Sequence, residues 1–84
     1  MNIPISDRLG KYLKARRRAI GLSQREVSKV LGYPNVQSIC NWEAGKANPP
    51  PKKFRKLLKI YEISPEEFLS ILLSEIGHSL RKFL

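Results

Sequence analysis

The fold is decided by residues 21–43, which read GLSQREVSKVLGYPNVQSICNWE. Ser23 is a natural helix N-cap, because its hydroxyl can accept a hydrogen bond from the free N–H groups of the first turn. Glu26, three residues later, can complete a capping box with it. Gly32 predicts the end of this helix, since glycine adopts a left-handed conformation at little cost. The stretch therefore predicts two short helices joined by a tight turn.

The second of these helices is predicted over residues 35–44, with Asn35 as its cap after Pro34. Ile39 and Trp42 are predicted to face the core, at helical spacing. Uncharged side chains on the outward face add little stability but suit DNA base edges, where Asn and Gln make paired contacts to adenine. A short helix of this kind in the major groove is typical of a helix-turn-helix module. Base contacts are therefore predicted for Gln37, Ser38 and Asn41.

Short motifs continue this pattern along most of the chain, and only their combination is specific. They are Gly21-Leu22-Ser23-Gln24, Leu31-Gly32, Ile39, Trp42-Glu43, Gly45-Lys46, Asn48-Pro49, Ile63-Ser64 and Glu67-Phe68. Together they resemble the phage repressor and Cro (XRE) family of helix-turn-helix proteins over residues 8–69. The turn between Gly32 and Ile39 is one residue longer than the commonest form in that family. The resemblance implies an all-α, compact five-helix repressor-like domain, here with an extended C-terminal helix.

The resemblance also implies roles for individual residues around the recognition helix. Val36 takes a base-reading position, where its side chain suits a thymine methyl group. Gln24 begins the second helix, so it is expected to contact a phosphate and to brace Gln37. Other backbone contacts are predicted from their place beside the recognition helix. The full set of expected phosphate contacts is Ser23, Gln24, Arg25, Lys46 and Asn48.

Two further residues are expected to hold the recognition helix at a fixed angle. In the related family, the residue at the position of Arg17 pairs with the glutamate that ends the recognition helix, which is Glu43 here. The alternative is that both charges are solvated separately. Cys40 is predicted to pack as a small, half-buried side chain.

The amino-acid composition indicates which class of molecule the chain binds. The chain has 84 residues, enough for one domain, with 16 Lys and Arg against 7 Asp and Glu, a formal charge of +9. A small domain this basic points to a polyanion, most often nucleic acid, although a basic surface can also serve solubility. No apolar run approaches membrane-spanning length, so no membrane partner is expected. The single cysteine fits a reducing cytosol, and the expected location is cytoplasmic and nucleoid-associated.

The end of the chain carries more apolar residues than the minimal domain can use. We therefore divide the chain into a DNA-binding domain, residues 1–68, and a C-terminal helical extension, residues 69–84, with a short N-terminal arm at residues 1–5. Gly77 is a possible break in the extension. The favoured interpretation is self-association, and the alternative is a helix folded back on the bundle. The expected dimerisation residues are Leu69, Leu72, Leu73, Ile76, Leu80 and Phe83, in a stripe that ends at Leu84.

The predicted function is sequence-specific binding of double-stranded DNA by a small transcriptional regulator, most simply a repressor that binds a palindromic site as a homodimer. The alternatives are an architectural DNA binder with little sequence preference, and an antitoxin-like module whose C-terminal helix holds another protein. No enzyme is expected, because no constellation of catalytic side chains and no glycine-rich phosphate loop is present. No cofactor is expected, and no metal, since Cys40 and His78 are single and distant in sequence.

Overall fold

The computed structural model describes residues 7–81 and 83, and that part of the chain is all-helical. The helices are α1 (Asp7–Ala19), α2 (Gln24–Leu31), α3 (Gln37–Glu43), α4 (Phe54–Tyr61) and α5 (Pro65–Arg81), with a 3-10 turn at Pro51–Lys53. The predicted all-α, five-helix fold is confirmed. The arm predicted at residues 1–5 and the apolar residue Leu84 lie outside the described residues. None of the described helices has the length and apolarity required to cross a membrane.

One apolar core joins all five helices. Helix α1 lies at the centre of the arrangement, because it packs against α3, α4 and α5, while α2 packs against α3 and α4. Two edge-to-face aromatic pairs, Tyr33 with Trp42 and Phe54 with Phe68, close the sides of the core. The buried apolar residues are Leu9, Leu13, Val27, Leu31, Ile39, Trp42, Leu57, Tyr61, Ile63, Phe68 and Leu72.

Local signals set the ends of α2 and α3 much as expected. Ser23 and Glu26 form the reciprocal hydrogen bonds of a capping box, and Gly32 ends α2 in the left-handed conformation with φ of 82°. Helix α3 begins at Gln37, two residues later than expected, with Val36 as its N-cap. Asn35 still serves the predicted capping role, because its Oδ1 accepts a hydrogen bond from the backbone N–H of Gln37 at 2.9 Å.

Helix α5 is one continuous helix across the boundary that we placed between residues 68 and 69. The suggested break at Gly77 is wrong, since the helix continues to Arg81. Leu72, expected on the dimerisation face, is buried against the bundle with Phe68. Glu75 lies on the same buried face, one turn further along, with its Oε1 3.5 Å from Nε of Arg8. One face of the first half of the extension, the face with Leu72 and Glu75, therefore belongs to the domain core.

Candidate nucleic-acid interface

The recognition helix α3 has one face in the core and one face free. Ile39, Trp42 and Glu43 are buried, whereas Gln37 and Cys40 are exposed. Helix α1 packs directly behind α3 at Gly10, where an added Cβ would lie 2.6 Å from the carbonyl oxygen of Trp42. Only glycine allows two helix backbones to approach this closely. The tight contact fixes the position of α3 relative to α1.

A buried ion pair fixes the orientation of α3 as well. The guanidinium of Arg17 donates two hydrogen bonds to the carboxylate of Glu43, from Nε to Oε2 at 2.7 Å and from Nη2 to Oε1 at 2.9 Å. Its Nη1 donates to the carbonyl oxygen of Leu22 at 2.8 Å. The hydrogen bonds to Glu43 raise the pKa of Arg17, although burial opposes the shift. The bidentate geometry ties α1 to the end of α3 and to the loop before α2.

Gln24 completes this network in a way that differs from our expectation. Its Nε2 donates to Oε1 of Glu43 at 3.0 Å, so its side chain does not brace Gln37. The carboxylate of Glu43 is an acceptor with two oxygens in fixed positions, and it attracts the amide more strongly than a neutral side chain would. Gln37 instead donates from Nε2 to Oδ1 of Asn41, one turn along α3, at 2.9 Å.

The predicted base contacts lie in and just before α3, with unequal exposure. Gln37 is exposed and so is Val36, which has 36% of its surface accessible. Ser38 and Asn41 are partly buried. Cys40 is exposed, so the prediction that it packs half-buried is wrong. Its position three residues after Gln37 places it on the outward face, because the core takes the side that carries Ile39.

The predicted phosphate contacts lie at the start of α2 and in the loop after α3. Ser23 and Arg25 are exposed, and the hydroxyl of Ser23 accepts a hydrogen bond from the backbone N–H of Glu26. Lys46 is exposed as well. Asn48 is half-buried, and its Oδ1 has no hydrogen-bond partner among the described residues. These groups supply donors on both sides of α3 in the sequence.

A cleft of about 500 Å³ lies between α2 and the turn before α3. The side chains around it include the cations Arg25 and Lys29 and no acidic residue. Such a basic concavity attracts anions. Its lining residues are Arg25, Ser28, Lys29, Tyr33, Pro34, Asn35 and Val36.

Three residues that support this interface were not predicted from the sequence. Gly10 allows the close approach of α1 to α3. Arg16 donates to two carbonyl oxygens at the end of α4, from Nε to Tyr61 at 2.9 Å and from Nη2 to its C-cap Glu62 at 3.0 Å. Lys53 donates from Nζ to the carbonyl of Leu31 at 2.7 Å. Each role depends on which helices meet in space, and no sequence spacing within one helix reveals it.

The comparisons with known proteins agree with this geometry. The helix-turn-helix family model matches residues 13–68. The chain belongs to the helix-turn-helix family of repressor and Cro-type regulators. The crystal structure of the restriction-modification controller protein C.AhdI from Aeromonas hydrophila is similar, with a TM-score of 0.63 and 28% identity over 71% of this chain and 86% of that chain. The search of curated proteins found no match. The protein is therefore a sequence-specific DNA-binding regulator from a family of regulators, not of enzymes.

Proposed function

We propose that the protein regulates transcription by placing α3 in the major groove, with Gln37 and Asn41 against base edges. One observation carries this proposal. The back of α3 is locked to α1 by Gly10 and by the Arg17–Glu43 pair, while its front presents amides to solvent. A rigidly held helix with outward amides fits direct readout, because base discrimination requires donors and acceptors in fixed positions.

The flanking residues supply the contacts that position the helix on the duplex. The exposed cations Arg25 and Lys46 lie before and after α3, and the first N–H groups of α2 suit a phosphate. The basic cleft beside Arg25 extends the surface that can follow the DNA backbone. In this proposal Val36 and Ser38 lie at the base edges, and Ser23, Gln24 and Asn48 lie at phosphates.

The outward face of α5 supports the proposal that the protein binds DNA as a homodimer. Leu69, Leu73 and Leu80 are each more than half exposed, and Phe83 is 85% exposed. With the half-buried Ile76 included, these positions alternate in spacings of four and three residues, which is the pattern of a two-helix seam, and Phe83 lies just beyond the end of α5. Leu72 is left out of this face because it belongs to the core. The proposed seam is Leu69, Leu73, Ile76, Leu80 and Phe83.

Membership of a family of repressor and Cro-type regulators supports a proposal for the sign and place of regulation. We propose a repressor in the cytoplasm, bound to DNA sites of two-fold symmetry, with no catalytic activity and no cofactor. A dimer of this kind would place two α3 helices in successive major grooves, about 34 Å apart. The similar protein C.AhdI is named as a restriction-modification controller protein, which supports a regulatory role for this chain.

Base readout is tested by selecting bound duplexes from a random pool and measuring affinity for the selected site and a shuffled one. Gln37→Ala should lose about 1–3 kcal/mol on the selected duplex and little on the shuffled duplex. Lys46→Ala is the matched control and should weaken both duplexes alike, with a salt slope smaller by about one. Equal losses on both duplexes for Gln37→Ala would overturn its role at base edges.

The dimer is tested by sedimentation equilibrium of the full chain. The wild type should be a dimer and Leu73→Glu a monomer, because a carboxylate in an apolar seam is desolvated without a partner. Val30→Glu is the matched control, since Val30 is a comparably exposed apolar residue on α2, at 55% against 59% for Leu73. A monomeric wild type would overturn the homodimer and favour a different protein as the partner of α5.

A further inference from the structure

The hydrogen bond between Gln37 and Asn41 joins two side chains that sequence analysis treats as separate adenine readers. Nε2 of Gln37 donates to Oδ1 of Asn41 at 2.9 Å, on the solvent side of α3. Gln24 takes no part in this contact, because its amide is used on Glu43. The two residues are four positions apart, so they lie one above the other on the helix.

The bond divides the remaining donors and acceptors unequally between the two amides. A primary amide has two N–H donors and one oxygen, which can accept two hydrogen bonds. Gln37 uses one N–H on Asn41 and retains its oxygen and the second N–H, the pair that adenine requires for a bidentate contact. Asn41 has one of the two lone pairs of its oxygen engaged by Gln37 and retains two N–H donors. A bidentate contact between Asn41 and adenine would have to share this oxygen with Gln37, whereas Gln37 can use its own oxygen, so the pair favours Gln37 as the adenine reader.

Building on the proposed function, we propose that Gln37 is the single adenine reader of α3 and that Asn41 is its positioning residue. Asn41 holds the Gln37 amide in one orientation before DNA arrives, and turns its own N–H groups toward an acceptor on a neighbouring purine. A flexible glutamine loses conformational freedom when it is fixed on a base. A bond already formed in the free protein reduces that loss, so adenine discrimination depends on both residues.

The test is a double-mutant cycle on a duplex selected by the wild type, with each adenine replaced in turn by 7-deazaadenine, which lacks the N7 acceptor. The adenine that Gln37 reads is the one whose substitution penalty disappears in Gln37→Ala. We expect the wild type to bind the substituted duplex about tenfold more weakly, within the range for one base contact. The Asn41→Ala variant should show little of this 7-deazaadenine penalty. The double variant should show the same absence of penalty as Gln37→Ala alone.

Two further variants separate positioning from a general effect. Asn41→Asp retains an oxygen acceptor for Gln37, so it should keep the 7-deazaadenine penalty while overall affinity falls, because a carboxylate is repelled by phosphates. Val30→Ala changes an exposed residue of α2 that has no proposed contact with DNA, and should leave the penalty unchanged. A full penalty in Asn41→Ala would overturn the positioning role. Equal wild-type affinity for selected and shuffled duplexes would instead overturn the proposed function itself.

Discussion

At the scale of single residues, the carboxylate of Glu43 is the junction between the core and the interface. It accepts hydrogen bonds from Arg17 and Gln24, and both members of the ion pair are buried, with 8% of each residue exposed. Taking two charges out of water is expensive, and their attraction offsets most of that cost. The pair therefore contributes orientation more than stability. Removing one partner is a different matter, because it leaves an unpaired charge inside the protein.

We predict that Arg17→Ala destabilises the fold by about 3–5 kcal/mol, because it leaves Glu43 buried without its cation. The double variant Arg17→Met with Glu43→Leu should cost much less, since it leaves no buried charge. Urea denaturation of both proteins measures the difference. A double variant as unstable as the single one would contradict the assignment of the cost to the unpaired carboxylate.

Gly10 and Gly77 offer a matched pair, since both lie within helices but in different surroundings. An added Cβ at Gly10 would lie 2.6 Å from the carbonyl oxygen of Trp42, whereas at Gly77 it would meet nothing within 4 Å. Gly10→Ala should therefore destabilise by about 1–3 kcal/mol despite the helix propensity of alanine. Gly77→Ala should stabilise by about 0.5–1 kcal/mol. Denaturation midpoints that rise in both variants would show that α1 and α3 are not in close contact.

Tyr61 makes the stability of the fold depend on pH in the alkaline range. Its hydroxyl is buried with no hydrogen-bond partner among the described residues, and burial raises its pKa, followed by the negative charge of Glu43. The folded state favours the neutral phenol, so the raised pKa affects the free energy of unfolding. The stability linked to the neutral phenol is fully present below the unfolded pKa of about 10 and is lost as the pH rises above it. Tyr61→Phe should match or exceed the wild-type stability at neutral pH and lose less stability above about pH 10. Urea denaturation at neutral and at alkaline pH measures the difference, and an equal loss of stability in the wild type and in Tyr61→Phe would contradict this prediction.

At the scale of helices, the sequence predicts well those features, such as helix ends, that depend only on residues close together in the chain. The capping box of Ser23 and Glu26 and the left-handed Gly32 depend on neighbours in the chain, so α2 was predicted nearly to the residue. The observed roles of Gly10 and Glu75 could not be predicted, because they appear only where α1 meets α3 and α5. Cys40 was misplaced because it lies between the apolar Ile39 and the polar Asn41, and a helix of 7 residues leaves the boundary between its inward and outward faces poorly defined.

The exposed thiol of Cys40 tests the outward direction of α3. It is the only cysteine in the chain, so a thiol reagent reports on this position alone. We predict that the free protein reacts readily and that a bound selected duplex strongly slows the reaction, because the major groove encloses α3. A shuffled duplex at the same concentration is the control. Equal reaction rates with and without the bound duplex would mean that this face of α3 does not contact DNA.

At the scale of the whole molecule, charge and shape have separate roles. The formal charge of +9 attracts any nucleic acid, so affinity for DNA does not by itself distinguish a regulator from an architectural protein. The distinction depends on the surface of α3, which is rigidly supported from behind and carries amides in front. Dimer formation through α5 would double the surface that is read and add symmetry. Discrimination between DNA sequences is therefore the property that distinguishes a regulator from an architectural protein.

The most direct test is the ratio of two dissociation constants, measured by fluorescence anisotropy at one physiological salt concentration. One duplex carries the site selected by the wild type, and the other carries the same bases in shuffled order. For a regulator that reads bases through α3, we predict a selected site bound at least about 10³-fold more tightly than the shuffled duplex. Equal dissociation constants would contradict base readout by α3 and would leave a protein that binds DNA by charge alone.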